Sequence, residues 1–288
     1  MIIGENRAAV IENIRTAAEN GDFYKKVEIN DPVLTPAQEK EITDNYLKKR
    51  KTLPFKFKTF FARGFANIGG DILNKNLEII GEIDPEVLKN GAIITSNHFG
   101  PLENTIIRYF VRRNGKRKLN IVSQVTNFAM TGAIGFLMNY ADTIPMSQDL
   151  RYLTRDFIGV LEELVNKNEV VLIYPEQEMW FNYRKPRPFK RGAYHFATKL
   201  NRPIVSCFVE MIDLPESDTD EFYKVKHRLH VLGVLYPDPE KSVRENSEEM
   251  AQKDYDLKKA AYEKAYLKQL NYNFETSDIA GWKGKINE

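Results

Sequence analysis

From residue 76 onward, short runs of apolar and β-branched residues alternate with amphipathic helical stretches, and that rhythm constrains the fold more than any other feature of the chain. The runs at 77–81, 92–96, 119–123, 143–146, 170–174 and 204–210 read as strands short and apolar enough to be buried. Helical spacing is expected near 101–113, 128–140, 149–167 and 190–200. Leu153, Phe157, Val160, Leu161 and Leu164 give the third of these one apolar face. The prediction is an α/β fold, a mainly parallel sheet flanked by helices. In a later strand Val225, His227, Leu229 and Val231 alternate with Lys226, Arg228 and His230. A polar helix near 243–271 follows, and the last residues read as a frayed end. The expected division is a helical N-terminal extension over 1–75, an α/β domain over 76–240, and a C-terminal helix and tail over 241–288.

The 288 residues suffice for a sizeable core, and the 42% apolar and 28% charged fractions are those of a globular protein. A net charge of +2 excludes a globally basic nucleic-acid binder, so no nucleic-acid partner is expected. The one cysteine, Cys207, removes any internal disulfide framework and fits a reducing compartment. It lies in an apolar run, as a buried small residue rather than a nucleophile. No apolar run reaches the roughly 18 residues of a membrane span, and the amino terminus lacks a signal-peptide pattern. The expectation is a cytoplasmic protein, soluble or peripheral on the cytoplasmic face of a membrane.

The N-terminal extension is polar at first, with Thr35-Pro36-Ala37-Gln38 reading as a capping box. Between 46 and 72 it changes. Lys48, Lys49, Arg50, Lys51, Lys56, Lys58 and Arg63 accompany five phenylalanines, and Asp71 is the only acid. Phe57, Phe60, Phe61, Phe65, Ile68 and Ile72 share one helical face. That is the pattern of a helix lying on a membrane surface. A helix that packs those phenylalanines onto the core would show the same sequence.

Asn97-His98-Phe99-Gly100-Pro101-Leu102-Glu103 sets a histidine and a carboxylate five residues apart where a strand should pass into a helix. Gly100 is the expected cap and Pro101 the first helical residue. Glu103 then shares a face with Ile106, Ile107 and Phe110, where a carboxylate needs a partner. His98 is the nearest, and a carboxylate that holds an imidazole in one tautomer makes it a better general base. A His–Glu bond that only pins a loop is the plainer alternative. The run Val170-Val171-Leu172-Ile173-Tyr174-Pro175 delivers Glu176 to the carboxyl end of a strand, where open α/β sheets bind ligands. Glu176 is a candidate to accept hydrogen bonds from substrate hydroxyls or to shape the acceptor pocket. Arg184, Lys185, Arg187, Lys190 and Arg191, followed by Gly192, form a basic segment suited to a phosphate, an anionic headgroup or an acidic carrier.

In combination these blocks resemble the glycerophospholipid acyltransferase family, over about residues 77–236. His98 and Glu103 match its catalytic histidine and acid, Tyr174-Pro175-Glu176 the first half of its Phe-Pro-Glu-Gly-Thr-Arg segment, and Lys190-Arg191-Gly192-Ala193 and Pro203-Ile204-Val205 its later blocks. The resemblance implies transfer of an acyl group from acyl-CoA or acyl-carrier protein to a lysophospholipid hydroxyl, with lysophosphatidic acid the default acceptor and no cofactor or metal. It implies that Asn97, Glu176, Arg151, Lys190, Arg191 and Gly192 bind substrate, and that backbone amides at the start of the 101 helix serve the oxyanion. The chain departs from the pattern in two places. Gln177, Glu178 and Met179 stand where the family carries Gly, Thr and Arg. The arginine expected after Ile144-Pro145-Met146 is also absent, Ser147 holding its place and Arg151 being the nearest substitute. His-Phe-Gly-x-x-Glu is also similar to related acyltransferases with glycolipid acceptors. A non-catalytic lipid-binding member of the fold is a further reading of the same residues.

Overall fold

The computed structural model describes residues 7–29, 31–116 and 118–284. Asn30, Arg117, and the first six and last four residues of the expected terminal segments lie outside these. Seven strands, β1 (Glu78–Ile80), β2 (Ile93–Thr95), β3 (Leu119–Gln124), β4 (Thr143–Met146), β5 (Val170–Ile173), β6 (Ile204–Ser217) and β7 (Tyr223–Leu235), form one sheet in the order β1-β7-β6-β2-β5-β3-β4. Every neighbouring pair is parallel except β6–β7.

β2 and β5 lie at the middle and are buried along their whole length. Successive side chains of a strand point to opposite faces, so a continuous apolar run suits a strand covered on both. Ile93 and Ile94 show it. Ile94 joins Ile106, Ile107 and Phe110 of α5 (Asn104–Arg113) on one face. Ile93 joins α7 (Ile158–Val165) and α8 (Gly192–Lys199) on the other, through Val160, Leu161, Ala193 and Ala197. α4 (Pro85–Lys89) lies between β1 and β2, and α6 (Gly132–Tyr140) links β3 to β4. The expected helix over 149–167 is present but divided, a π-helical segment (Tyr152–Phe157) running into α7.

The terminal segments fold onto this sheet. α1 (Arg7–Glu19) buries Val10, Ile11, Ile14 and Ala17 in a third apolar cluster with Trp180, Phe181, Phe222 and Ile279. α2 (Pro36–Lys49) starts at the expected capping box. α9 (Val243–Tyr266) is locked to β2 by a buried network in which Lys258 Nζ donates to Asp254 and Thr95, and Tyr194 also donates to Asp254. The expected frayed end is instead pinned. Asp278, Ile279 and Ala280 are buried, because Asp278 accepts from buried Lys185 at 2.6 Å and Asn182 accepts the Ala280 amide at 2.8 Å.

α3 (Leu53–Leu73) carries the basic-aromatic segment, and the structure does not pack the phenylalanine stripe onto the core. The face it turns to the protein is small and polar. Ala62 and Asn67 are buried, Arg63 makes two bonds of 2.6 Å to Asp142, and Asp71 pairs with Arg112 at 2.7 Å. Its apolar stripe points away, with Phe57, Phe60, Phe65, Ile68 and Ile72 each 61–67% exposed. No helix among the described residues is long and apolar enough to cross a membrane.

Candidate active site

The carboxyl ends of β2 and β5 lie side by side at the centre of the sheet, and each feeds one half of the site. The loop after β2 departs from the expected helix start. α5 begins at Asn104, and residues 101–103 form a turn. The cause is Glu103. Its Oε2 accepts the amides of Phe99 and Gly100, the latter at 2.8 Å, while Oε1 meets His98 Nδ1 in a short contact. Those bonds wrap residues 98–103 around the carboxylate, which is 5% exposed. They also occupy the amides of Phe99 and Gly100, just ahead of the 101 segment whose amides were expected to serve an oxyanion. The Thr105 and Ile106 amides close the first turn on Leu102 and Glu103.

A carboxylate on Nδ1 fixes the neutral imidazole with its proton there and its lone pair on Nε2. The His98 side chain keeps 21% exposure, and Nε2 has no hydrogen-bond partner among the described residues. One ring face is covered by Tyr174, stacked at 4.1 Å and 8°. Burial, and the nearby Glu103 carboxylate, push the Tyr174 hydroxyl well above its ordinary pKa. His98 is thus held at one nitrogen, covered on one face and open at the other nitrogen, as a general base requires.

The loop after β5 braces this arrangement. Glu176 is buried; Oε2 accepts the His98 amide at 3.1 Å and Arg187 Nη2 at 2.9 Å, and Oε1 accepts the Arg187 amide at 3.2 Å. The Trp180 amide donates to the His98 carbonyl at 3.1 Å and the Asn182 amide to the Phe99 carbonyl at 2.8 Å. Segments 98–99 and 176–182 therefore form one hydrogen-bonded unit. Gln177 adopts φ 65°, a left-handed conformation that favours glycine, at the very position where the family segment carries one.

The other expected substrate residues do not converge on His98. Asn97 is buried and clamps β6, donating to the Val209 carbonyl at 3.0 Å and accepting its amide at 2.8 Å. Arg151 follows β4, the edge strand three positions from β2, about 14 Å across the sheet. Lys190 sits 3.7 Å over the Tyr24 ring, Arg191 pairs with Glu248 at 2.6 Å, and Gly192 opens α8. Lys190 and Arg191 are exposed, while the other three basic residues of the segment are buried and serve the fold. Arg187 is fully buried against Trp180, Lys185 is paired with Asp278, and Arg184 with Asp213. Tyr174, which covers the His98 ring, and Arg187, which pairs with Glu176, are the residues of this site whose places spacing missed. The tyrosine was visible only as part of a strand and a motif, and the arginine only as one charge among several.

Residues 75–210 match the Acyltransferase family model, a span that includes both halves of the site. Over that stretch, just under half of its length, the chain is similar to an acyltransferase domain. The crystal structure of the 1-acyl-sn-glycerophosphate acyltransferase PlsC from Thermotoga maritima is similar to it at a TM-score of 0.52 and 14% identity, covering 82% of this chain and 96% of that one. At that identity the likeness is one of fold. No curated protein sequence matches the chain. The acyltransferase match begins after α3 and ends within β6, so α1, α2, α3, β7 and α9 lie outside it.

Proposed function

We propose that this acyltransferase moves a fatty acyl group from an acyl thioester, acyl-CoA or acyl-carrier protein, to a lysophospholipid hydroxyl. The observation that carries the reading is His98, bound through Nδ1 to a buried carboxylate and open at Nε2. The acceptor hydroxyl gives its proton to Nε2 as its oxygen attacks the thioester carbonyl. The tetrahedral intermediate collapses with loss of the carbon–sulfur bond, and the departing thiolate recovers the proton from His98. Glu103 orients the ring and stabilises the imidazolium between those steps. The balance needs no cofactor and no covalent acyl-enzyme.

The lipid acceptor is met at a membrane surface. α3 is about 31 Å long and lies along the molecule with its phenylalanines outward. Lys48, Lys49, Lys51, Lys56 and Lys58 lie on or beside it, matching an anionic cytoplasmic leaflet.

The test is thiol release from a long-chain acyl-CoA or acyl-carrier protein with and without a lysophospholipid, comparing wild type with His98→Ala and Glu103→Gln. Release should depend on acceptor and fall about 10²–10⁴-fold in His98→Ala with an unchanged melting temperature. Transfer that survives in purified His98→Ala would remove the mechanism.

A further inference from the structure

We infer that Tyr174 is a positioning residue for His98, and that the face of its ring stabilises the imidazolium formed each time Nε2 takes a proton. The inference deepens the acyl-transfer reading of the same site and rests on it. The two rings lie 4.1 Å apart and within 8° of parallel. Glu103 meets the imidazole at one edge, at Nδ1, and a single bond at an edge leaves the ring free to tilt about it. The stack on Tyr174 removes that freedom and holds the lone pair of Nε2 in one direction.

Tyr174 holds the imidazole because it is itself held. The β2–β5 register pairs Thr95 with Ile173, so the sheet sets Tyr174 beside the start of the His98 loop. Its carbonyl accepts the Gln177 amide at 3.1 Å, and the next carbonyl, that of Pro175, accepts the Lys190 amide at 2.8 Å. The side chain packs against the apolar cluster that α5 helps to form, and its hydroxyl oxygen is enclosed. Burial and the nearby Glu103 keep that hydroxyl protonated, so the face offered to His98 is that of a neutral phenol.

The acceptor hydroxyl gives its proton to the Nε2 lone pair, and the positive charge spreads over the imidazole until that proton passes to the departing thiolate. An aromatic face within about 6 Å of a cation favours it about two- to thirtyfold. Among the described residues, the charges that the structure sets against His98 come from three elements. Glu103 is at Nδ1, the Glu176–Arg187 pair is at the His98 amide and carbonyl, and Glu28, after α1, is within electrostatic reach. Replacing Tyr174 with an apolar residue changes the charge of none of them. The replacement also separates two effects by sign. Opening the imidazole to water favours its charged form, whereas taking away the aromatic face disfavours it.

The experiment compares wild type, Tyr174→Leu and Tyr174→Phe, with melting curves to confirm folding. If Tyr174→Leu does not fold, the longer Tyr174→Met takes its place under the same outcomes. The chain has four histidines, and the carbon-bound ring protons of His98 are assigned by their loss in His98→Ala. Their titration is followed by NMR without substrate. The midpoint should lie about half to one and a half pH units lower in Tyr174→Leu, and Tyr174→Phe should return it to the wild-type value. Single-turnover acyl transfer to a lysophospholipid should fall about tenfold in Tyr174→Leu, with KM for donor and acceptor unchanged. Tyr174→Phe, which keeps the ring, should restore it to within about threefold of wild type. A midpoint that stays in place or rises in folded Tyr174→Leu overturns the inference. So does a transfer rate that Tyr174→Leu leaves intact, or a loss that Tyr174→Phe fails to rescue. If wild type transfers no acyl group while the midpoint moves as expected, acyl transfer fails by itself and the support that Tyr174 gives the imidazolium stands.

Discussion

Removing the Glu176 carboxylate would take an acceptor from three donors at once, because Oε2 accepts the His98 amide and Arg187 Nη2 and Oε1 accepts the Arg187 amide. Arg187 would remain enclosed with its charge, and breaking a buried pair from one side costs about 3–5 kcal/mol. Glu176→Ala should therefore lower the urea midpoint strongly. A Glu176→Ala, Arg187→Met double variant should lose less than the sum of the two single variants, since the orphaned charge is gone. Equal, additive losses in the cycle would show that the two side chains act independently. This pair also marks where sequence reading stops. The His98–Glu103 pairing was legible because the two residues are five apart and one loop brings them together. Glu176 was legible by its place after a strand but not by its role, since its partner is 11 residues away across a folded loop. Charged residues are usually exposed, so a run such as 184–191 reads as a surface patch. Nothing in it signals that Arg187 and Lys185 are buried.

At the scale of elements, α3 behaves as an amphipathic helix turned inside out, with its polar side on the protein and its apolar side in solvent. Its attachment relies on Arg63–Asp142, Asp71–Arg112 and the packing of Phe55 on Tyr140 rather than on the outward phenylalanines. Phe60→Asp with Phe65→Asp should thus leave the melting temperature within about 1–2 °C, since exposed substitutions rarely exceed about 0.5 kcal/mol. The same pair should abolish sedimentation with anionic vesicles. Loss of fold instead would mean that the stripe packs inward. The element pattern from 76 onward was readable because apolar runs and helical spacing are local properties. The boundary at 101–104 was not, because it depends on Glu103 drawing two amides backward into its own loop.

For the whole molecule, one group predicts an acid limb to stability. His227 packs on Phe99 at 5.4 Å, and burial pushes its pKa down to about 4. In the unfolded chain an imidazole titrates near 6.5. Between those values the unfolded chain binds a proton that the native chain refuses, so stability falls as pH drops from about 6.5 to 4 and is untouched by this group above 6.5. Because the residue keeps some contact with solvent, the effect is on the order of 2 kcal/mol rather than the 3 or so of full enclosure. His227→Leu should flatten that stretch of the melting-temperature curve. An unchanged slope would assign the acid limb to other groups.

The 180s loop takes bonds from both ends of the chain. Trp180 Nε1 donates to the Lys25 carbonyl, Arg187 to that of Phe23, Asn182 to that of Ala280 and Arg184 to that of Ser277. A ribosome delivers those pieces far apart in time. Residues 7–29 wait through the synthesis of the whole sheet, and the loop gains its last partners only after residue 280 has emerged. His98 is thus translated in the first half of the chain but braced at the end, so a nascent chain stalled before residue 280 would carry His98 and Glu103 in sequence and lack the frame that holds them.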